Sequence, residues 1–180
     1  MVINLGDFYL RAVEKKDLEW LRALRSDEST WSQLGTIAFI YEATQEKWFE
    51  DLSQRKDAEY LVLGRDKQNL GIVRLTEIDK TNRSMCVGGD ILSHFRNKGY
   101  SKEMYKLIFK LGFDVMGMHR LWLLVLATNE KALHVYKSVG FKQEGLQREA
   151  IFRNGKFTDY LMMSILDREY TKYQQMLDSS

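Results

Sequence analysis

The sequence predicts an α/β (α+β) fold on a mixed, mostly antiparallel sheet. Three observations carry this. Residues 59–92 hold three strand-like runs joined by short polar turns, the pattern of an antiparallel meander. Residues 85–139 then alternate strand, helix, strand, helix, which implies a parallel pairing made by a right-handed crossover. Residues 153–156, Arg-Asn-Gly-Lys, place Asn-Gly between two strand-like runs, the strongest short hairpin signal.

The elements follow in order. Residues 8–13 read as a short strand. Asp17 is placed to cap a helix over 18–26, with Leu18, Leu21 and Leu24 on its apolar side. A loop rich in aromatic and small residues runs from Asp27 through Trp31, Phe39 and Tyr41. Thr44 offers the N-cap of a second helix, in which Trp48, Phe49 and Leu52 are near-neighbours. Residues 59–64 read as a strand, 66–69 as a turn, and 70–78 as a half-buried strand alternating apolar and polar side chains. A polar turn at 79–84 leads to a strand at 85–92. Its Gly88-Gly89 pair signals a bulge, or the close approach of another backbone or a ligand. Residues 101–116 form a helix with Met104, Leu107, Ile108 and Leu111 on one face. Residues 120–126 are almost continuously apolar, like a strand covered on both faces. Asn129 caps a helix over 130–139, and the hairpin closes on edge strands at 156–166.

The chain has 180 residues, which fits one domain spanning 1–180 with no repeat and no linker. A chain this long buries roughly 70% of its unfolded surface and needs no disulfide or metal staple. At 44% hydrophobic and 29% charged it is neither disordered nor collagenous. The single cysteine, Cys86, excludes an intramolecular disulfide and a multi-cysteine zinc cage. His94 and His119 have no metal-ligand spacing, so no metal is expected. A net charge of +2, from 27 basic and 25 acidic residues, argues against a nucleic-acid partner. No apolar run approaches the ~20 residues that span a bilayer, and residues 1–7 lack the basic start of a signal peptide. The expectation is a cytoplasmic protein with no membrane partner, monomeric or homodimeric.

Residues 91–101 carry the most chemistry. They join a buried strand to the start of a helix, whose first turn offers unpaired N–H groups and a positive dipole end. Gly99 lets the backbone close around an anion, and Arg96 and Lys98 add charge. The segment matches neither G-x-x-x-x-G-K-[ST] nor G-x-G-x-x-G, so a Walker P-loop is excluded and a Rossmann dinucleotide site is not expected.

Arg96-Asn97-Lys98-Gly99-Tyr100-Ser101 resembles the R/Q-x-x-G-x-G/A motif of the GCN5-related N-acetyltransferases, with Ser101 replacing the last small residue. Residues 129–141 are similar to that family's N-x-x-A-x-x-x-Y-x-x-x-G-F segment, and the likeness extends from Leu10 to Leu166. The resemblance implies a sheet of about seven strands, splayed at the middle, with helices on both faces. It implies acetyl-coenzyme A as co-substrate, its pyrophosphate on residues 96–101, its pantetheine arm on the N–H groups of Ile91 and Leu92, and a contact from Asn129. Tyr136 takes the role of general acid toward the leaving thiolate.

The general base is less plain. Related sequences carry Glu or His mid-strand, where this chain has Leu124, so Glu77 and Asp90 stand as catalytic candidates. Trp31 belongs to the loop that would cover the acceptor, and Arg25 and Arg74 are placed to face a negatively charged one. Residues 30–43 carry a single carboxylate, Glu42, which ranks polyamines low. The spacing from Leu24-Arg25-Ser26 through Trp31 and Ile40 to residues 48–52 resembles the branch of the family acting on nucleotide-linked amino sugars, and that resemblance implies the amine of an amino-sugar nucleotide as the acceptor. The alternatives are the N-terminal α-amine of a ribosomal or other protein, a polyamine, or, in a different class, a non-catalytic acyl-coenzyme A sensor.

Overall fold

The computed structural model describes residues 1–171; residues 172–180 of the expected domain lie outside the described residues. One sheet contains β1 (Val2–Leu5), β2 (Phe8–Ala12), β3 (Glu59–Arg65), β4 (Gln68–Asp79), β5 (Ser84–Ile91), β6 (Arg120–Leu126), β7 (Lys142–Arg153) and β8 (Lys156–Leu166). Its order is β1-β2-β3-β4-β5-β6-β8-β7, and β5–β6 is the parallel pair. Helices among the described residues include α1 (Leu18–Ser26), α2 (Glu28–Trp31), α3 (Glu42–Leu52), α4 (Tyr100–Phe109) and α5 (Glu130–Ser138). No helix among the described residues is long and apolar enough to cross a membrane.

Hydrophobic periodicity builds two layers. On one face, Met104, Leu107, Ile108 and Phe109 of α4 pack on Val73, Leu75, Met85, Val87, Leu121 and Leu123. On the other, Leu18, Leu21 and Leu24 of α1 pack on Val13, Val62 and Ile72. At nine residues α1 is shorter than a helix that holds by itself in water, so this burial, roughly 1.5–3 kcal/mol per leucine, is what stabilises it.

Several local expectations need correction. The sheet has eight strands because Val2–Leu5 pairs with β2; only Ile3 and Leu5 are partly covered, too short a pattern to read. Asp17 holds the N-cap position of α1 as expected, but its side chain makes no cap bond there. It closes a 3-10 turn at Lys15–Asp17, accepting from the Glu14 N–H at 2.9 Å while it pairs with Arg11. Part of the expected loop is α2, capped by Asp27, whose carboxylate accepts from the Ser29 N–H at 2.8 Å. The next helix starts after Tyr41, two residues before Thr44, with no side-chain cap. Strand 156–166 is internal; β7 takes the edge, because the Asn154-Gly155 turn folds it outward onto β8. The expected bulge at Gly88-Gly89 is absent. The β4–β5 register shifts between Thr76 and Asp79, around Glu77 with φ of 51°. Gly89 answers to close approach instead: a Cβ there would sit 2.6 Å from Met104 Sδ and 2.7 Å from the Ile72 carbonyl oxygen.

The feature that positions the site is the divergence of β5 and β6. They pair only over Ser84, Met85 and Cys86 with Arg120, Leu121 and Trp122. Beyond that point β5 continues to Ile91 and β6 to Leu126 without a shared ladder. One edge of β5 is therefore open, facing a wedge in the middle of the sheet.

Candidate active site

At the mouth of the wedge the chain turns from β5 into α4. Leu92 donates its N–H to the Leu70 carbonyl at 2.9 Å, so its amide belongs to the β4–β5 ladder and is not free for a ligand, contrary to the sequence expectation. Backbone groups alternate sides along a strand. The Ile91 N–H therefore points to the opposite edge, into the wedge. The Ile91 carbonyl shares that side and accepts from Arg96 Nε at 2.9 Å.

Arg96 corrects a second expectation. Its Nη1 donates to Ser29 Oγ and its Nη2 to Thr30 Oγ1, each at 2.6 Å. The guanidinium thus fastens the end of β5 to α2 and is committed to protein acceptors rather than presented to phosphate. Lys98 remains as the exposed cation of the loop, its Nζ 5.3 Å from the Phe95 ring centroid.

The loop backbone is itself an anion cradle. Asn97 and Gly99 have φ of 61° and 80°, which turns successive amides toward one side. Among the described residues no backbone or side-chain acceptor takes the N–H of Asn97, Lys98, Gly99, Tyr100 or Ser101. Ser101 caps nothing; Gly99 is the N-cap of α4, without a side-chain bond. Unpaired amides at the positive end of a ten-residue helix fit a diphosphate.

Gly99 can be tested directly. A Cβ at Gly99 would meet nothing within 4 Å, so the demand for glycine is conformational. Gly99→Val forces a β-branched residue into the left-handed region, at a cost of roughly 1–2 kcal/mol or relief by rotating the amides. We expect acetyl-coenzyme A affinity to fall about tenfold by calorimetry, with thermal stability little changed.

Across the wedge stands α5. Asn129 caps it, accepting from the Ala132 N–H at 3.1 Å. Tyr136, two turns in, packs its ring against Tyr105 at 5.3 Å and Phe141 at 5.9 Å between centroids. Burial pushes its phenol pKa up, the neighbouring Tyr105 hydroxyl pulls the other way, and Asp90, Arg74 and Cys86 also act on it electrostatically. The phenol is thus protonated at neutral pH and can serve as an acid.

On the sheet face toward α1, Arg74 Nη1 is ion-paired with the Asp90 carboxylate. Arg25 lies close enough to feel both. Burial and then the like charge of Arg74 lower its pKa, and its Nη2 donates to Thr36 Oγ1 at 2.9 Å. The structure brings Arg25, Arg74 and Asp90 together, but Asp90 is held by an arginine and is poorly placed to take a proton. Glu77 is exposed on its bulge and lines a 640 Å³ cavity with Trp122 and Lys56, away from Tyr136. A second cavity of 730 Å³ lies between α2 and the β7–β8 hairpin. It is lined by Asp27, Glu28 and Gln33 on one side and by Leu126, Arg153 and Lys156 on the other. Trp31 is half-buried in α2 and does not line it. No cluster of three or more metal-ligating side chains occurs among the described residues.

Sequence reasoning missed Ser29, Thr30 and Tyr105. The first two matter only as acceptors of Arg96, and Tyr105 reads as an ordinary core position of α4.

An open strand edge leading to free amides is a seat for an extended thioester carrier with a diphosphate. The family profile described as "Acetyltransferase (GNAT) domain" matches residues 7–142, and the chain belongs to that family. It is an acetyl-coenzyme A-dependent N-acetyltransferase, which displaces the non-catalytic sensor reading. The spermidine N(1)-acetyltransferase of Escherichia coli K12 is 30% identical over 165 residues, 89% of this chain and 87% of its own length. The spermidine N(1)-acetyltransferase of Vibrio cholerae is 26% identical, covering 89% and 94% respectively. A crystal structure of the Vibrio cholerae enzyme with CoA and spermine superposes with a TM-score of 0.89 at 26% identity, covering 93% of this chain and 99% of that one.

Proposed function

We propose that this monomeric or homodimeric enzyme acetylates a primary amine of a small molecule in the cytoplasm, with a polyamine such as spermidine as the leading acceptor. The wedge at Ile91 with the free amides of Asn97–Ser101 carries the transferase reading. The names of the two relatives support a cationic acceptor, and Asp27 and Glu28 on the α2 wall of the 730 Å³ cavity offer carboxylates for one amine, facing Arg153 and Lys156 across it. The amino-sugar nucleotide expected from the sequence draws no support from these relatives.

Acetyl-coenzyme A would supply the acetyl group as a thioester. In this reading Asn97, Lys98, Gly99, Tyr100 and Ser101 hold its diphosphate, while Asn129 orients α5 against it. The Ile91 N–H donates to the acetyl carbonyl oxygen as negative charge grows there. Tyr136 gives its proton to the departing sulfur. Asp90 holds Arg74 in place, and Glu77 draws the amine proton only by way of water.

One observation favours a second acceptor. Arg25 and Arg74 share a half-buried face with a single carboxylate, Asp90, an excess of positive charge that repels a polycation and suits an amine bearing an anionic group. Thiol release from acetyl-coenzyme A with spermidine, spermine, an amino-sugar nucleotide and an N-terminal peptide decides between them. We expect turnover with the polyamines. Turnover confined to the sugar nucleotide or the peptide overturns the polyamine assignment and leaves the transferase reading standing.

A further inference from the structure

Tyr105 is only 1% exposed, and its phenol oxygen is buried with no hydrogen-bond partner among the described residues. A hydroxyl sealed from water without a partner is costly and calls for a reason. Packing alone supplies none, because a phenylalanine would fill the same space against Phe109 and Phe141, whose centroids lie 6.2 and 5.6 Å away. The ring also stands edge-on to Tyr136 at 5.3 Å. The charged and polar groups that act on its oxygen electrostatically are Tyr136 from α5, Arg74 from β4 and Asp90 from β5.

We propose that Tyr105 is a positioning residue for acetyl transfer: its unpartnered O–H is held ready to donate to Tyr136 Oη when that oxygen becomes negative. This rests on the reading of Tyr136 as the acid. When Tyr136 acts, the new C–N bond has formed to the acceptor and the thioester C–S bond breaks; the Tyr136 O–H bond breaks with it and an S–H bond forms on the departing carrier. The phenolate left behind accepts the Tyr105 hydrogen bond until a proton shed by the acceptor nitrogen returns through water. Tyr105 keeps its own proton throughout. In the resting protein the donor is left unsatisfied; in the charged state it makes a strong, charge-assisted bond. Arg74 adds positive potential, and Asp90 opposes it.

Tyr105→Phe removes one oxygen and keeps the ring. Three results are expected. Thermal stability is unchanged or higher. The KM for acetyl-coenzyme A is unchanged while kcat drops about tenfold. The alkaline limb of the kcat profile moves to higher pH, because Tyr136 has lost the donor that eased its ionisation. A readout without substrate accompanies these: in the free protein, the tyrosinate ultraviolet absorbance of Tyr136, identified by difference from Tyr136→Phe, should rise at higher pH in Tyr105→Phe than in wild type. In the Tyr136→Phe background, adding Tyr105→Phe should cost no further turnover. Wild-type kcat and an unmoved titration in Tyr105→Phe, alongside a crippled Tyr136→Phe, overturn this proposal alone. Full turnover in Tyr136→Phe overturns it together with the assignment of the acid.

Discussion

Tyr136→Phe should lower kcat by about 100-fold or more while leaving the affinity for acetyl-coenzyme A nearly intact, since a positioned general acid typically contributes 10²–10⁴. The ring packing against Tyr105 and Phe141 survives the change, so the fold should hold. What disappears is the one phenol proton that α5 brings to the wedge. Burial keeps that proton on the oxygen above the ordinary range for tyrosine, so wild-type turnover should persist through neutral pH and decline only in alkali. Stopped-flow thiol release gives kcat, and calorimetry gives the coenzyme affinity. A parallel loss of affinity would make Tyr136 a binding residue instead.

The second large effect is on stability. Asp17 is 1% exposed, and its carboxylate accepts from Arg11 at 2.6 and 2.8 Å, from the Glu14 N–H at 2.9 Å and from Trp20 Nε1 at 3.1 Å. Asp17→Ala leaves Arg11 without its carboxylate partner, with only Asn69 Oδ1 and the Ala12 carbonyl to donate to, and should cost about 3 kcal/mol by urea denaturation, the low end for breaking a buried pair because Arg11 stays partly exposed. The same site predicts a pH dependence. Burial alone would raise the Asp17 pKa. The Arg11, Glu14 and Trp20 bonds outweigh it and bring the value from 3.8 down to about 2. A folded pKa below the unfolded one stabilises the protein above about pH 4 and loses that contribution as the pH falls toward 2, in all roughly 2 kcal/mol. Glu144, held to about 2 chiefly by Arg120, loses its smaller share in the same window. Asp17→Asn should therefore flatten the acid limb in part. An acid limb identical to wild type would mean that Asp17 is not paired in the native state.

Much of the frame was legible because its signals are local. Leu18, Leu21 and Leu24 recur at helical spacing and are buried as that spacing requires. Asn154 and Gly155 both adopt positive φ in the hairpin turn. Asn129 caps the helix it precedes, and Gly99 sits left-handed at the start of α4. Each reading needed only a residue and its near neighbours in the chain.

The misreadings share a cause. Asp17 looked like a side-chain cap for α1 because its competing partner, Arg11, lies on a strand and was not seen as a neighbour. Arg96 reads as a phosphate ligand in sequence because its acceptors, Ser29 and Thr30, lie more than 60 positions earlier in the chain. Leu92 looked available because strand direction alone does not say which edge an amide faces; the bond to Leu70 does. Tyr105 looked like core because its hydroxyl gains meaning only beside Tyr136.

By itself, then, the order of residues determined most of the helices, strands and turns and which stretch is shaped for an anion, since torsional preference, periodicity and capping act over a few bonds. Only the folded arrangement decided which cations are already committed, which amides remain open, and which hydroxyls are buried beside one another. Those properties depend on what the sheet order sets within hydrogen-bonding reach, and such neighbours are distant along the chain.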